Sequence, residues 1–451
     1  MTRKQFGTDG IRGKVGIYPL TPGGVVDFAR ALSGWLTDQP LPNGQSAHLV
    51  ITGGDTRSST SWILGVLNAS LVANGLNVRP LNTVTTPAVA YETRFGTASA
   101  GVMVTASHNK AADNGLKLFG ADGFKLADAD EAKIEALMST AASASAPADR
   151  LGSASELWQA QRYFTDLSAD ARGTLQGVSL VIDAAHGAAS YTAGEVFRQA
   201  GADIHLIGAE PDGLNINDGL GATHPEALAA KVVETGAYAG VALDGDADRL
   251  IMCDETGAVV DGDQLIALLA SAMHATGTLT GGAVAATVMS NLGLERHLTG
   301  LDIELLRAPV GDRHVVAAMR ERGLNLGGEQ SGHIVLLGHG TTGDGLLAAL
   351  HVLAIAAADG GKFSEISRVF DPVPQKLVNV RFDGENPLDN DNVTAAIAAV
   401  SERLGNKGRV LVRKSGTEPL IRIMAEAVDP STLEAAIAEL ERAVQEVIQS
   451  D

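Results

Sequence analysis

Three stretches of the chain share one plan: an apolar strand, a polar Gly/Ser loop, a helical segment, a Gly turn and a second apolar strand. The first runs from His48-Leu49-Val50-Ile51-Thr52 through Gly53-Gly54-Asp55-Thr56-Arg57-Ser58 and a helix to Ala73, then Gly75 and a strand through Val78. The second starts at Leu180-Val181-Ile182 and returns at Ile204 to Ile207; the third starts at Ala283 to Met289 and returns at Ile303 to Leu306. Such strand–helix–strand spacing requires parallel crossovers, so each copy builds an α/β sheet of its own.

After the three copies, Asp371-Pro372-Val373-Pro374 interrupts helix, because proline lacks the amide hydrogen and fixes φ. Lys376 to Phe382 then alternates like a strand, and Pro430 to Ser450 reads as an amphipathic helix. The small, aperiodic residues 139–155 read as a linker or exposed loop. The expected architecture is three similar α/β domains with mixed sheets, residues 1–152, 153–256 and 257–371, followed by a smaller α+β domain, 372–451.

Composition narrows the function. The chain has 451 residues, of which 45% are hydrophobic, enough for packed cores. Acidic residues number 53 against 34 basic, a net charge of −19, which opposes nucleic acid and anionic membranes in general but leaves room for a local anion pocket. The single Cys253 excludes an intrachain disulfide and fits a reducing compartment. The longest apolar run, Leu346 to Ala358, is too short for a bilayer and reads as a buried helix. Met1 to Gly7 lacks the apolar run of a signal peptide, so a soluble, cytoplasmic protein is expected.

Five segments carry chemistry. Thr105-Ala106-Ser107-His108-Asn109 follows an apolar strand, and a serine there is placed to act as a nucleophile or to cap a turn. No hydrolase elbow surrounds it. In Asp244-Gly245-Asp246-Ala247-Asp248-Arg249, three alternating carboxylates repel unless a cation sits among them, and hard oxygens suit Mg²⁺. Arg249 is a fixed donor for phosphate or carboxylate; a solvated acidic turn and a glycosyltransferase-like metal loop are the other readings. In Gly327-Gly328-Glu329-Gln330-Ser331-Gly332-His333, Glu329 and Ser331 can bond adjacent sugar hydroxyls, or the segment is a structural turn. Arg413-Lys414-Ser415-Gly416-Thr417-Glu418-Pro419-Leu420-Ile421-Arg422 gathers cations, hydroxyls and a glycine as an anion nest would, although a surface hairpin would look similar. Phe6-Gly7-Thr8-Asp9-Gly10-Ile11-Arg12-Gly13 is indecisive alone: a phosphate-lining arm or a β-bulge.

Together and in this order, the five segments resemble the α-D-phosphohexomutase superfamily over residues 6–423, with Asp113-Asn114-Gly115-Leu116-Lys117, Asn215-Ile216-Asn217 and Val310-Gly311-Asp312-Arg313 as lesser signatures. The resemblance implies a phosphoserine at Ser107 that donates its phosphoryl to O6 or O1 of a hexosamine monophosphate. It implies one Mg²⁺ per subunit held by Asp244, Asp246, Asp248 and the Ser107 phosphoryl. Arg413, Ser415, Gly416, Thr417 and Arg422 would grip the phosphate that is not reacting, and Arg249, Glu329 and Ser331 would bind the rest of the substrate. Lys117, His108 and Arg12 are candidates for proton transfer or phosphate stabilisation. Lys117 is favoured as the acid/base, with its pKa lowered by desolvation and neighbouring cations.

A hexose or hexosamine 1,6-bisphosphate would be the activating co-substrate, the partner a small amino-sugar phosphate, and the assembly a homodimer. Gln330 and the N-terminal segment resemble the glucosamine branch, which implies conversion of glucosamine 6-phosphate to glucosamine 1-phosphate, feeding UDP-N-acetylglucosamine and cell-wall precursors. The rival readings are a phosphomannomutase/phosphoglucomutase, a silent sugar-phosphate binder and a plain phosphatase. The chain departs from the family pattern at four places: Lys110 for Pro, His314 for an aromatic residue, Ala184-Ala185-His186 for Cys-Ala-Asn, and Thr105 for Ser.

Overall fold

Each copy of the strand–loop–helix plan forms its own sheet in a computed structural model that describes residues 5–7, 9–42, 45–140, 146–155, 160–415 and 419–450. The first sheet is ordered Phe6–Gly7, Gly10–Lys14, Asp113–Gly120, Ala100–Val104, Leu49–Gly54, Asn77–Thr83. Its last three strands are parallel, as crossovers demand, and the others pair antiparallel. The sheet is therefore mixed, as expected. The N-terminal segment supplies two strands, Phe6–Gly7 and Gly10–Lys14, that pair with each other, and the second sets Arg12 opposite Gly115. Gly10 adopts φ +76°, and a Cβ there would lie 2.3 Å from Leu116 O, so only glycine lets this strand close on its neighbour.

Helix Pro22–Thr37 starts where Thr21 Oγ1 accepts from Gly24 N and Pro22 supplies a preset φ. It buries Val25, Phe28, Leu32 and Leu36 in the first core with Ile63, Leu67, Val102 and Leu118. Each such side chain contributes about 1.5–3 kcal/mol.

The second sheet is ordered Val259–Val260, Leu250–Asp254, Ala239–Leu243, Ser179–Asp183, Asp203–Ile207. Ala239–Leu243 and Leu250–Asp254 are antiparallel, with Leu243 opposite Leu250, so the acidic segment 244–249 is the loop of a hairpin. In the third sheet Ala283–Thr287 runs parallel to Leu326–Gly328, which pairs antiparallel with Ile334–Leu336, and Glu304–Ala308 forms its edge. The apolar run at 346–358 is the helix Gly345–Asp359. Asp344 Oδ1 caps it by accepting from Leu347 N, and Gly360 ends it in the left-handed region. Among the described residues, no helix is long and apolar enough to cross a membrane.

Apart from Glu304 and Leu305 at the start of the edge strand Glu304–Ala308, these three sheets belong to one compact unit, Met1–Thr287 with Leu306–Arg368. A second unit comprises Val288–Leu305 and Val369–Asp451. It holds the antiparallel sheet Gln375–Arg381, Leu420–Ala427, Gly408–Lys414, packed by helices Asp391–Leu404 and Pro430–Ser450. Its own core includes Val393, Val400, Ile421, Ile423, Ile437 and Leu440. The helix Leu292–Gly300 joins this unit through polar bonds. Asn291 Nδ2 donates to Val373 O at 2.9 Å, Leu292 N donates to Glu426 Oε1 at 3.0 Å, and Arg409 donates to the carbonyls of Val288 and Ser290.

Candidate active site

Ser107 sits just past the end of the buried strand Ala100–Val104, with φ +50°. A non-glycine residue there costs on the order of 1–3 kcal/mol and persists only where surroundings over-determine it. Four hydrogen bonds over-determine it. Ser107 N donates to Thr105 Oγ1 at 2.9 Å. Ser107 O accepts from Arg57 Nη2 and Asn217 Nδ2, both at 2.9 Å. Ser107 Oγ donates to Asp244 Oδ2 at 2.6 Å. Gly245 lets the acidic loop come this close, since a Cβ on it would lie 2.7 Å from Ser107 O.

Asp244, Asp246 and Asp248 are all buried and offer carboxylate oxygens within 4.8 Å of one another. Burial, then the charges of Asp248 and Asp246, push the Asp244 carboxyl up to about 8. Asp246 Oδ1 is buried with no hydrogen-bond partner, while its Oδ2 accepts from Thr86 Oγ1 and Lys117 Nζ. An orphaned buried carboxylate oxygen beside two further carboxylates fits a hard divalent cation, so this donor set could hold one.

Lys117 Nζ lies 2.8 Å from Asp246 Oδ2, 2.7 Å from Asp248 Oδ2 and 3.2 Å from Asp9 Oδ2. Burial alone would lower its pKa, but these three carboxylates raise it well above the ordinary lysine value. This is opposite to the lowering expected from desolvation and neighbouring cations. The neighbours are predominantly anions, and Arg12 is a minor opposing charge. Asp9 links further to Lys125, which also pairs with Asp312, and to Arg12 at 3.0 Å. His108 is the contrasting group: burial, then Arg249 and Arg12, lower its pKa to about 4, and its buried Nδ1 has no hydrogen-bond partner. It is neutral at physiological pH.

Burial would lower the Arg249 pKa, but Asp244, Asp248 and Glu329 raise it above the ordinary value. Its backbone N donates to Asp244 Oδ1 at 3.2 Å. Glu329 Oε1 accepts from Gly311 N at 3.1 Å and its Oε2 accepts from Ser331 Oγ at 3.0 Å, so the two sugar-binding candidates are joined and partly exposed. His333, from the same segment, accepts from Gly343 N through Nε2 at 3.0 Å and faces Asp248 Oδ1 through Nδ1 at 3.6 Å. Gln330 takes no such place. Its Nε2 donates to Asp261 Oδ2 at 3.0 Å, and Asp261 caps the helix Gly262–Ala275. The residue that pointed to the glucosamine branch is bonded into the fold.

The departures from the family pattern also have local accounts. Thr105 keeps the hydroxyl function, donating to Asp55 Oδ2 at 2.7 Å while accepting from Ser107 N. Lys110 offers its carbonyl to Arg57 and extends its ammonium to the exposed Asp218 at 3.2 Å. His186, at φ +50°, accepts from Glu210 N through Nδ1 at 3.1 Å. His314 N donates to Gly311 O at 2.9 Å at the start of helix Asp312–Arg322. The reading of residues missed Asp55, Arg57, Asp9 and His333 as parts of the site, although all four lie in segments it had singled out. Asn217, a lesser signature residue, reaches the carbonyls of Ser107 and Asn109.

The second unit carries the phosphate-loop candidates. Arg413 and Arg422 face each other across the antiparallel pair, so their guanidiniums share one face of the sheet. Burial, then the Arg422 charge, lowers the Arg413 pKa, a repulsion that a bound anion would relieve. Ser415 is buried and its N donates to Leu420 O at 2.8 Å. Gly416 and Thr417 lie outside the described residues, as does Thr8 of the N-terminal segment.

With this geometry in hand, comparison with known proteins is decisive. Four models of the phosphoglucomutase/phosphomannomutase family match the chain: alpha/beta/alpha domain I at residues 3–145, domain II at 161–257, domain III at 261–373 and the C-terminal domain at 377–443. The phosphoglucosamine mutase of Ruegeria sp. (strain TM1040) is 49% identical over 99% of this chain and 100% of its own. That of Allorhizobium ampelinum is 50% identical over 98% of each. The chain belongs to the phosphoglucosamine mutase family. It is accordingly an isomerase of phosphohexomutase architecture, three α/β domains and a smaller C-terminal one. Solved structures share the fold: a phosphoglucomutase/phosphomannomutase family protein from Burkholderia thailandensis superposes with a TM-score of 0.83 at 23% identity over 99% of this chain and 98% of that one. An Aspergillus fumigatus N-acetylphosphoglucosamine mutase, solved with GlcNAc-6P and magnesium, gives 0.67 at 19% identity over 98% and 96%.

Proposed function

We propose that the chain interconverts glucosamine 6-phosphate and glucosamine 1-phosphate, with Ser107 carrying the phosphoryl group between the two positions. The observation that carries this reading is a buried serine in a strained conformation whose Oγ lies 2.6 Å from one of three clustered carboxylates, in a chain about half identical to phosphoglucosamine mutases. Asp244, Asp246 and Asp248, with an oxygen of the Ser107 phosphoryl, would hold Mg²⁺, which when bound neutralises charge on the phosphoryl oxygens.

Phosphorylated Ser107 gives its phosphoryl to the free hydroxyl of the sugar, O1 or O6. The Oγ–P bond breaks, the sugar O–P bond forms, the hydroxyl proton leaves to a base, and Oγ takes up a proton. The resulting 1,6-bisphosphate turns round, and its other phosphoryl returns to Ser107 by the same steps reversed. Lys117, held as an ammonium by three carboxylates, supplies a proton from Nζ. His108, neutral with an unpartnered Nδ1, accepts one. Arg12 and Arg249 contact phosphoryl oxygens, and Glu329 and Ser331 hold sugar hydroxyls in either orientation. Arg413, Ser415 and Arg422, with Gly416 and Thr417, grip the phosphate that is not transferred, so remote binding energy serves the reacting end. A hexose or hexosamine 1,6-bisphosphate loads Ser107 at the outset.

Phosphorus NMR tests the reading directly. The protein is incubated with Mg²⁺, a trace of glucose 1,6-bisphosphate and, in separate tubes, glucosamine, glucose or mannose 6-phosphate. The 1-phosphate resonance should grow fastest from the amino sugar and be absent with Ser107→Ala. Isomerisation of only the neutral sugars would overturn the substrate assignment. Release of inorganic phosphate in place of isomerisation would overturn the reaction.

A further inference from the structure

Among the described residues Arg57 is the largest fully buried side chain, and its side-chain hydrogen bonds go to Asp55 and to the serine loop. Its guanidinium is spent on the backbone of the serine loop. Nη2 donates to Ser107 O at 2.9 Å and to Asn109 O at 2.7 Å, Nη1 donates to Lys110 O, and Nε donates to Asp55 Oδ2 at 2.9 Å. The same Asp55 carboxylate holds the other side of the loop. It accepts from Thr105 Oγ1, and Thr105 Oγ1 in turn accepts from Ser107 N. One buried ion pair therefore grips both the N–H and the C=O of the residue at φ +50°.

Such a pair is poor value as stabilisation, because desolvating two charges offsets their attraction, and apolar packing could replace it. It is well suited to fixing one conformation. A planar five-donor fork can hold the carbonyls of residues 107, 109 and 110 and the Asp55 carboxylate at once, four bonds in one plane, whereas an apolar residue offers no donor and a lysine ammonium only three. We propose that Arg57, buttressed by Asp55, is a positioning residue for phosphoryl transfer. It locks the left-handed turn at Ser107 and so aims Oγ at Asp244. Asn217, reaching the carbonyls of Ser107 and Asn109 at 2.9 and 3.0 Å from the second α/β module, completes the clamp. The inference rests on the reading of Ser107 as the phosphoryl carrier.

The test compares Arg57→Ala, Arg57→Lys and Asn217→Ala with the unchanged protein, in the full chain with Mg²⁺. Two quantities are read: phosphorylation of Ser107 by glucose 1,6-bisphosphate, from intact mass, and kcat and KM for glucosamine 6-phosphate. Misplacement of a reacting group by about 1 Å costs about 100-fold, so Arg57→Ala should lose about that factor in kcat and in loading rate, with KM within about twofold. Arg57→Lys should not restore the rate, because it keeps the charge but not the fork. Added methylguanidine, filling the vacated space, should restore Arg57→Ala and leave Arg57→Lys and the unchanged protein unaffected. Asn217→Ala keeps the Arg57 clamp and should show a smaller fall with the same split between kcat and KM. This arm also serves if Arg57→Ala does not fold. A full rate in Arg57→Lys, or parallel changes in kcat and KM in Asn217→Ala, would overturn the proposal. Absence of Ser107 loading in the unchanged protein would instead overturn the reading on which it rests.

Discussion

Gly245→Ala puts the meeting of the serine loop and the acidic loop to a quantitative test. A Cβ at 245 would lie 2.7 Å from Ser107 O, 2.8 Å from Asn217 Nδ2 and 2.8 Å from Ile216 Cδ1, where ordinary contact begins at 3.4 Å. Ile216 can turn its methyl aside. Ser107 O cannot move so readily, because Arg57 and Asn217 both bind it. The relief of about 0.7 Å must come from separation of the two loops. Taken along the Ser107 Oγ–Asp244 Oδ2 bond, it stretches 2.6 Å to about 3.3 Å, beyond a good O–H···O bond. Overpacking of this kind costs about 1–3 kcal/mol in stability. With about 100-fold lost per ångström of misplacement, kcat should fall about 10- to 100-fold. The assays are denaturant unfolding and single-turnover transfer from glucose 1,6-bisphosphate. An alanine variant with full transfer rate would show that the two loops need not approach so closely, and would refute the reasoning.

Three further substitutions probe separate parts of the account. Gln330→Met removes a bond to the helix-capping Asp261, so it should cost about 1 kcal/mol of stability and leave the preference for amino over neutral sugar phosphates unchanged; a tenfold shift in preference would contradict this. Asp246→Asn withdraws one carboxylate from the cluster, and calorimetric titration with Mg²⁺ should show affinity weakened at least about tenfold. Burial raises the Asp344 carboxyl to about 6, above its unfolded value, so the folded state binds more protons there and stability falls as pH rises from about 4 to about 6. Asp344→Asn should remove that part of the pH dependence, measured by denaturant unfolding at several pH values; an unaltered profile would refute the assignment.

Much of this was legible in the chain because the signals are local. Alternation of apolar strand, polar loop and helix is a property of consecutive residues, and it gave three α/β modules and the buried helix at 345–359. The three carboxylates alternate along one hairpin loop, so their convergence could be read directly. What could not be read was where side chains point across modules. Gln330 stands between two sugar-binding candidates, the half-buried Glu329 and the exposed Ser331, yet bonds to Asp261, 69 positions away. Lys117 ends a signature segment, but its pKa direction depends on Asp9, Asp246 and Asp248, which the fold brings from other strands and loops. Arg57 sits in the first repeat's loop like any polar residue there, and its three carbonyl partners lie more than 49 positions further on. The grouping of helix Leu292–Gly300 with the C-terminal sheet likewise depends on Glu426 and Arg409, distant in sequence.

The central claim is that Ser107 carries the phosphoryl group, and trapping that intermediate tests it most directly. The protein would be mixed with radiolabelled glucose 1,6-bisphosphate and Mg²⁺, digested, and the labelled peptide sequenced; a second portion would be chased with glucosamine 6-phosphate. The account predicts label on Ser107 alone, released quantitatively into glucosamine phosphates, the bisphosphate and the 1-phosphate formed from it, during the chase. Label on another residue, or label on Ser107 that the amino-sugar phosphate fails to remove, would contradict it.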